Sequence, residues 1–408
     1  MVCAMKNGAA TLKVPPGKTF MLKPLQFSGP CSFSSVHFQL EGDVVAPKST
    51  EAWKGQDSSK WIDFSNVDGL IIDGGGQIDG SGSVWWNSCK VSFTFYCISY
   101  IHIQNWDTRS ILGVFFTLLM LFYLQVKSCS RPTVRYTCTQ FLWCNGVEIF
   151  LHKSFIYVMQ ALSIHNCNNL QLTGTRHLNS ARNHISINNS NHTHIFNVTI
   201  TAPQDSPNTD GIDVSQSSYI LIQRSTIATG DDCIAMNSGT SYVNITGITC
   251  GPGHGISVGS LGKKGTCQTV EHVHVSNCNF KGADNGMRIK TWPGGCGYAR
   301  NIKFEHIVLT NTKNPIIIDQ DYENVQNEDK KQTSEVQISG VTYRYVNGTC
   351  NSETAIILNC GAGAGCTDIF MDLVNITSTS SGSNVLASCN NAHGVAASTS
   401  PPVSCLSL

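Results

Sequence analysis

From about residue 161 onward, apolar and polar residues alternate in short runs set off by turn residues. HISINN (184–189), DGIDVS (210–215), DDCIAM (231–236), HGISVG (254–259), NGMRIK (285–290), NPIIID (314–319) and TAIILN (354–359) follow one pattern, with apolar side chains at every second position. The first runs recur at spacings of roughly 22 to 26 residues, and later spacings lengthen as loops are inserted. Between them sits a second set of strand-like runs, such as YILIQRSTI and VEHVHVSNCNF. A fixed period of short strands predicts a solenoid, here an all-β parallel β-helix whose coils share one continuous core. The competing antiparallel sandwich is disfavoured because hairpin turns of the Asn-Gly type are sparse. In a β-helix, equivalent positions of successive coils stack about 4.8 Å apart, so residues distant in sequence become neighbours on one face.

Residues 91–125 and 134–160 break the pattern. The apolar stretch Ile111 to Leu124 covers 14 residues, short of the roughly 20 that span a bilayer. A buried helix is one alternative. A third reading fits better, because each segment begins with Val, codable as GTN, and ends with Gln, codable as CAG. Lys90-Val91-Ser92 can be written AAG-GTA-AGT, a splice donor, and the Phe/Leu/Tyr-rich tail resembles a translated pyrimidine tract. Both segments are therefore expected to be intron-derived insertions in a single catalytic domain over residues 1–408. Their excision joins Lys90 to VKSCSRPT and then to ALSIHNCNNLQL, which runs smoothly into the next coil.

Composition narrows the class. Only 13% of the 408 residues are charged and the net charge is zero, so no global field recruits nucleic acid or anionic lipid. Eighteen cysteines, mostly at the ends of β-like runs rather than in C-x-x-C pairs, predict a secreted, disulfide-bonded protein. Sequons at Asn188, Asn191, Asn197, Asn244, Asn347 and Asn375 agree. The first residues, MVCAMKNGAATLKVPPG, carry no apolar signal stretch, so the expectation is a secreted protein whose signal peptide is missing from this sequence.

Four motifs begin at equivalent places in successive coils: SPNTDGIDV (206–214), GDDCIA (230–235), GHGISVGS (253–260) and RIK (288–290). If the register holds, Asp210, Asp231, Asp232 and His254 converge on one patch, where mutual repulsion raises at least one carboxyl pKa. One carboxyl can then donate a proton while others stay ionised, which suits glycoside hydrolysis. Taken singly, Gly-Asp-Asp is more often a turn with Asx hydrogen bonds, and His254 a satisfied core histidine. Calcium is a rival use of the cluster, opposed by His254, Arg288 and Lys290. The latter two, being two apart on a strand, share a face and could hold a substrate carboxylate. Lys263 and Lys264 either extend that basic track or lie on a solvated loop.

At these residues the chain resembles the polygalacturonases of glycoside hydrolase family 28, plant type, through NTDGID, GDDC, GHGISVGSLG, RIK and QDY (320–322). The resemblance covers about residues 10–90 and 161–405, and its motifs are specific as a set. It implies a right-handed parallel β-helix that cleaves α-1,4 links between galacturonic acids in pectin, with inversion and without metal or other cofactor. The implied roles are Asp231 as general acid, Asp210 and Asp232 as the groups that position and deprotonate water, and His254 as keeper of the acid's protonation state. Arg288, Lys290 and Tyr322 would bind galacturonate. Inversion predicts an acid-to-base separation of about 6.5–9.5 Å. The resemblance further implies disulfides Cys233–Cys250, Cys360–Cys366 and Cys389–Cys405. It implies a monomer acting on pectin in the cell wall, with no nucleic-acid or membrane partner. Against the family pattern, the N-terminal cap is truncated. Pectate lyase, rhamnogalacturonan hydrolase and an inactive product of a mis-spliced gene remain the alternatives.

Overall fold

The computed structural model describes residues 10–32, 35–86, 143–144, 147–148, 159–322, 335–363 and 365–406. The chain divides into two compact units, residues 1–86 with 158–408, and residues 87–157. In the second, the described residues form one antiparallel pair, Trp143–Cys144 with Val147–Glu148. The expected insertion 91–125 lies outside the described residues, as does most of 134–160.

The first unit is a parallel β-helix. One face is an 11-stranded parallel sheet whose strand order follows the chain. Its strands are β1 (Leu25–Ser28), β2 (Lys60–Ser65), β3 (Gln160–His165), β4 (Ile185–Asn188), β5 (Ile212–Ser215) and β6 (Ile234–Met236). They continue with β7 (Ile256–Leu261), β8 (Asn285–Thr291), β9 (Asn314–Asp319), β10 (Thr354–Asn359) and β11 (Leu386–Asn390). A 20-stranded sheet forms the remaining faces of the coils. The seven periodic runs thus fall on β4 to β10. Their alternation works as a stacking code, because parallel register carries each inward position onto the same position of the next coil. Ile62, Leu162, Ile185, Ile212, Ile234, Ile256, Met287, Ile316 and Ile356 form one such inward column. From Leu162 on, each is fully buried. β-Branched side chains suit this column, since their single preferred rotamer packs on the pleat at little entropic cost.

The solenoid resumes at Met159, which is buried in the core, and Gln160 pairs with Lys60. Those two residues end the segment expected to be an insertion. Three successive coils leave the sheet through a left-handed residue, Asn166, Asn189 and Gln216 in turn, a conformation that Asn tolerates better than most residues. Asn166 donates to Asn66, and Asn189 to Asn166, extending the stacking to polar groups.

All three expected disulfides are present, and Cys267–Cys296, which was not expected, joins residues paired on neighbouring rungs. Cys167, Cys278 and Cys350 are buried and unbridged. At the first coils an apolar cavity of about 210 Å³ is lined by Leu12, Val14, Phe20, Leu22, Phe38 and Ile62, among others. Among the described residues no helix is long and apolar enough to cross a membrane.

Candidate active site

Register gathers the motifs. Because Ile212, Ile234 and Ile256 are paired partners, Asp210, Asp232 and His254 occupy one column two residues ahead of their strands, and Asp231 stands one position earlier. Two glycines shape the turn at His254. Gly253 and Gly255 have φ of +146° and +87°, and a Cβ on Gly255 would stand 2.2 Å from the Asn285 carbonyl oxygen. That bend brings the His254 backbone N–H onto the Asp231 carbonyl at 2.8 Å.

Asp231 and His254 form a pair open to solvent. His254 Nδ1 lies 2.8 Å from Asp231 Oδ1, and their side chains are 36% and 23% exposed respectively. The Asp232 backbone N–H also donates to Asp231 Oδ1, at 2.9 Å. On its far side His254 Nε2 stands 3.7 Å from Asp284 Oδ2. The hydrogen bond to Asp231 raises the His254 pKa above its ordinary value, outweighing burial.

Asp232 has a different environment. It is 1% exposed and both its oxygens are engaged. Oδ1 accepts from the Arg288 guanidinium and, at 2.8 Å, from Ser257 Oγ, while Oδ2 accepts from Lys290 Nζ at 2.7 Å. Ser257 Oγ in turn accepts from Arg288 Nε at 2.9 Å. Burial pushes the Asp232 carboxyl up, but Arg288, then Lys290 and Ser257, overcome it and bring the pKa down to about 2. Asp210 goes the other way. Burial, then the charges of Asp213, Asp231 and Asp232, hold its carboxyl well above the usual range. The cluster thus holds one carboxylate locked in its ionised form beside one that favours its proton, two charge states side by side.

One expectation changes. Arg288 and Lys290 do share a face, but they are 8% and 7% exposed and bound to Asp232 rather than free in the cleft. Arg288, Lys290 and Asp232 taken together carry one positive charge, with Asp231 as the next carboxylate beside them. Ligand atoms of Asp231, Asp232 and His254 all lie within 4.8 Å of one another. These atoms could surround a cation, but Asp232 is already committed to Arg288 and Lys290 and His254 Nδ1 to Asp231.

Tyr322 is brought to the same place. Its ring lies 5.3 Å from Lys290 Nζ and packs edge-on against Trp292, which also meets Lys263 Nζ at 5.4 Å. Lys263 thus joins the cationic side of the cleft, and Lys264 is exposed on a left-handed turn. Sequence reasoning missed Ser257, Asp213 and His184. Ser257 and Asp213 stand in the column of Arg288, so the register that aligned the motifs could have found them. Buried His184 donates Nδ1–H to the Asp210 carbonyl at 3.0 Å, and its backbone N–H donates to the same oxygen at 2.8 Å. Its Nε2 accepts from the Ser180 N–H, so the ring is a neutral brace for the backbone of Asp210.

Residues 3–138 and 157–400 match the glycosyl hydrolases of family 28. A "probable polygalacturonase" of Arabidopsis thaliana is 42% identical over 406 residues, spanning 98% of this chain and 74% of that protein. The chain belongs to family 28 of the glycosyl hydrolases. A polygalacturonase of Malus domestica is 35% identical over 390 residues, covering 95% of this chain and 70% of its own length. Polygalacturonase-2 of Solanum lycopersicum is 35% identical over 381 residues, covering 93% and 70%. Among solved structures, the endo-xylogalacturonan hydrolase of Aspergillus tubingensis superposes with a TM-score of 0.67 at 22% identity, covering 93% of this chain and 88% of that one. The polygalacturonase of Erwinia carotovora gives 0.59 at 21% identity, covering 94% and 90%. These neighbours share the right-handed parallel β-helix. The family makes the chain a glycoside hydrolase.

Proposed function

We propose that this hydrolase is a polygalacturonase that cleaves α-1,4 links between galacturonic acid residues of pectin, outside the cell in the plant wall, as a monomer. The observation that carries the reading is the surplus positive charge of Arg288 and Lys290 packed against the carboxylate cluster. A neutral glycan has no use for it, and a polyuronide places a carboxylate on every sugar. The plant relatives named polygalacturonase support the same substrate.

Asp231 is the general acid, since it is the carboxyl of the cluster that meets solvent with a proton-bearing partner, His254. The proton passes from Asp231 to the leaving glycosidic oxygen, and His254 sets its supply. Asp232, ionised throughout the mildly acidic range, takes the proton of the attacking water, which Asp210 orients. Attack from the face opposite the leaving group inverts the anomeric carbon. Arg288 and Lys290 draw the substrate carboxylate to the cleavage point, and Tyr322 covers the sugar there. Residues 91–125 and 134–160 are retained intron translation, and none of the residues given a role above falls in them; a mature transcript carrying both would overturn that part of the reading.

The test is incubation with de-esterified polygalacturonate at mildly acidic pH. Reducing ends should accumulate without an unsaturated, ultraviolet-absorbing product, and proton NMR should show the anomer of inverted configuration first. No reducing ends sinks the reading, and an unsaturated product replaces it with a lyase.

A further inference from the structure

The cationic cluster at Arg288 lies on one side of the catalytic carboxylates, and the coil on the other side carries a cation of its own. Arg182 sits just ahead of β4. The pairing of Ile185 with Ile212, and of Ile212 with Ile234, aligns it with Thr209 and then with Asp231. Two coils separate it from Asp231, about 10 Å along the solenoid. Arg182 is half-buried, and among the described residues its guanidinium has no ion pair or hydrogen bond.

Of the charges acting on Asp213, which stands in the column of Ser257 and Arg288, Arg182 is the foremost. Asn183 Nδ2 bonds Asp213 Oδ2 at 2.9 Å, while Asp213 Oδ1 has no partner. Burial first, eased by Arg182 and reinforced by Asp232 and Asp231, pushes the Asp213 carboxyl up to about 7. At mildly acidic pH Asp213 is therefore neutral, and the charge of Arg182 stands uncompensated on the cleft side of the sheet. An unpaired, partly desolvated guanidinium is a strong site for a planar carboxylate, which it can grip through two parallel hydrogen bonds.

We propose that Arg182 is a second carboxylate-binding position of the cleft, holding a uronate on the side of the scissile bond opposite Arg288 and Lys290. This rests on the polyuronide reading above. A methyl-esterified sugar offers no charge, so Arg182 selects against esterification at that position while leaving the chemical step untouched.

The test reads binding without turnover, by calorimetric titration of defined oligogalacturonates onto the full chain carrying Asp231→Asn. Adding Arg182→Gln should weaken binding of the unesterified oligomer roughly tenfold, the scale of one lost charge-assisted hydrogen bond. Adding Arg182→Lys should restore most of it, and affinity for a methyl-esterified oligomer should not change. Equal affinities with and without Arg182→Gln, or an equal loss for free and esterified oligomers, overturn the inference and leave the polygalacturonase reading standing. Failure of the Asp231→Asn chain itself to bind any oligogalacturonate overturns both.

Discussion

Removing the charge of Asp232 strands two buried cations. Arg288 and Lys290 are each less than a tenth exposed and meet at this one carboxylate. Asp232→Asn should therefore cost about 3–5 kcal/mol of folding stability, seen as a lower denaturant midpoint, in addition to lost turnover. Asp231→Asn offers the contrast. Its carboxylate is part-exposed and shares a proton with His254, so turnover should fall about 10²–10⁴-fold with the melting temperature nearly unchanged. A large drop in melting temperature would remove the general-acid role from Asp231. Lys290→Ala tests the cationic group. From sequence it is expected mainly to weaken substrate binding and raise KM, but its contact with Asp232 predicts a second effect. Part of what holds the Asp232 carboxyl down near 2 is lost, so the acid limb of the pH–rate profile should move upward. A profile that stays put would show that Lys290 serves binding only.

At the scale of the element, β4 to β8 and the turns ahead of them supply the carboxylates, His254, Ser257 and the two buried cations, with Tyr322 following β9, and how much of that was legible depended on register. Asp210, Asp231, Asp232 and His254 could be read as neighbours because each precedes the same kind of apolar run. Ser257 and Asp213 lie inside those runs at outward positions, where alternation predicts a polar residue and gives no reason to single it out. His184 was hidden differently, since its contact is with a backbone carbonyl one coil away, which no side-chain pattern encodes. The engagement of Asp232 by both cations likewise depends on three strands' side chains meeting, not on spacing along one. These buried groups give the sheet opposed pH dependences. Asp213 has its pKa raised to about 7, so the folded state holds an extra proton between about pH 4 and pH 7, and stability from this group falls as pH rises through that window. His184, lowered to about 4 by burial, does the opposite, its contribution falling as pH drops from about 6.5 to 4. Asp213→Asn should melt above the native chain near pH 7, with the gap closing by pH 4. A constant gap across that range would refute the assigned shift.

On the scale of the whole molecule, the β-helix was readable from periodicity, and three of its disulfides from resemblance. Cys267–Cys296 was not, because its two halves lie 29 residues apart at the start of the longest strands, beyond the regular period. The segments 91–125 and 134–160 fall, along the chain, between β2 and β3. Joining Lys90 to Val126 and Thr133 to Ala161 would put Thr133 in the place of Gln160 opposite Lys60, and Pro132 in the place of buried Met159. A chain so joined should melt as one cooperative unit at or above the temperature of the full chain and retain turnover. Loss of the transition would show that the segments belong to the fold. The parallel register has a wider consequence for how such a cleft can change. Since each rung contributes its own floor residue and leans only on its two neighbours, the binding surface is editable one rung at a time. A substitution at one rung should alter the preference for a single sugar of the polymer and leave the reading of the others intact, so new pectin specificities can arise by point changes without rebuilding the enzyme.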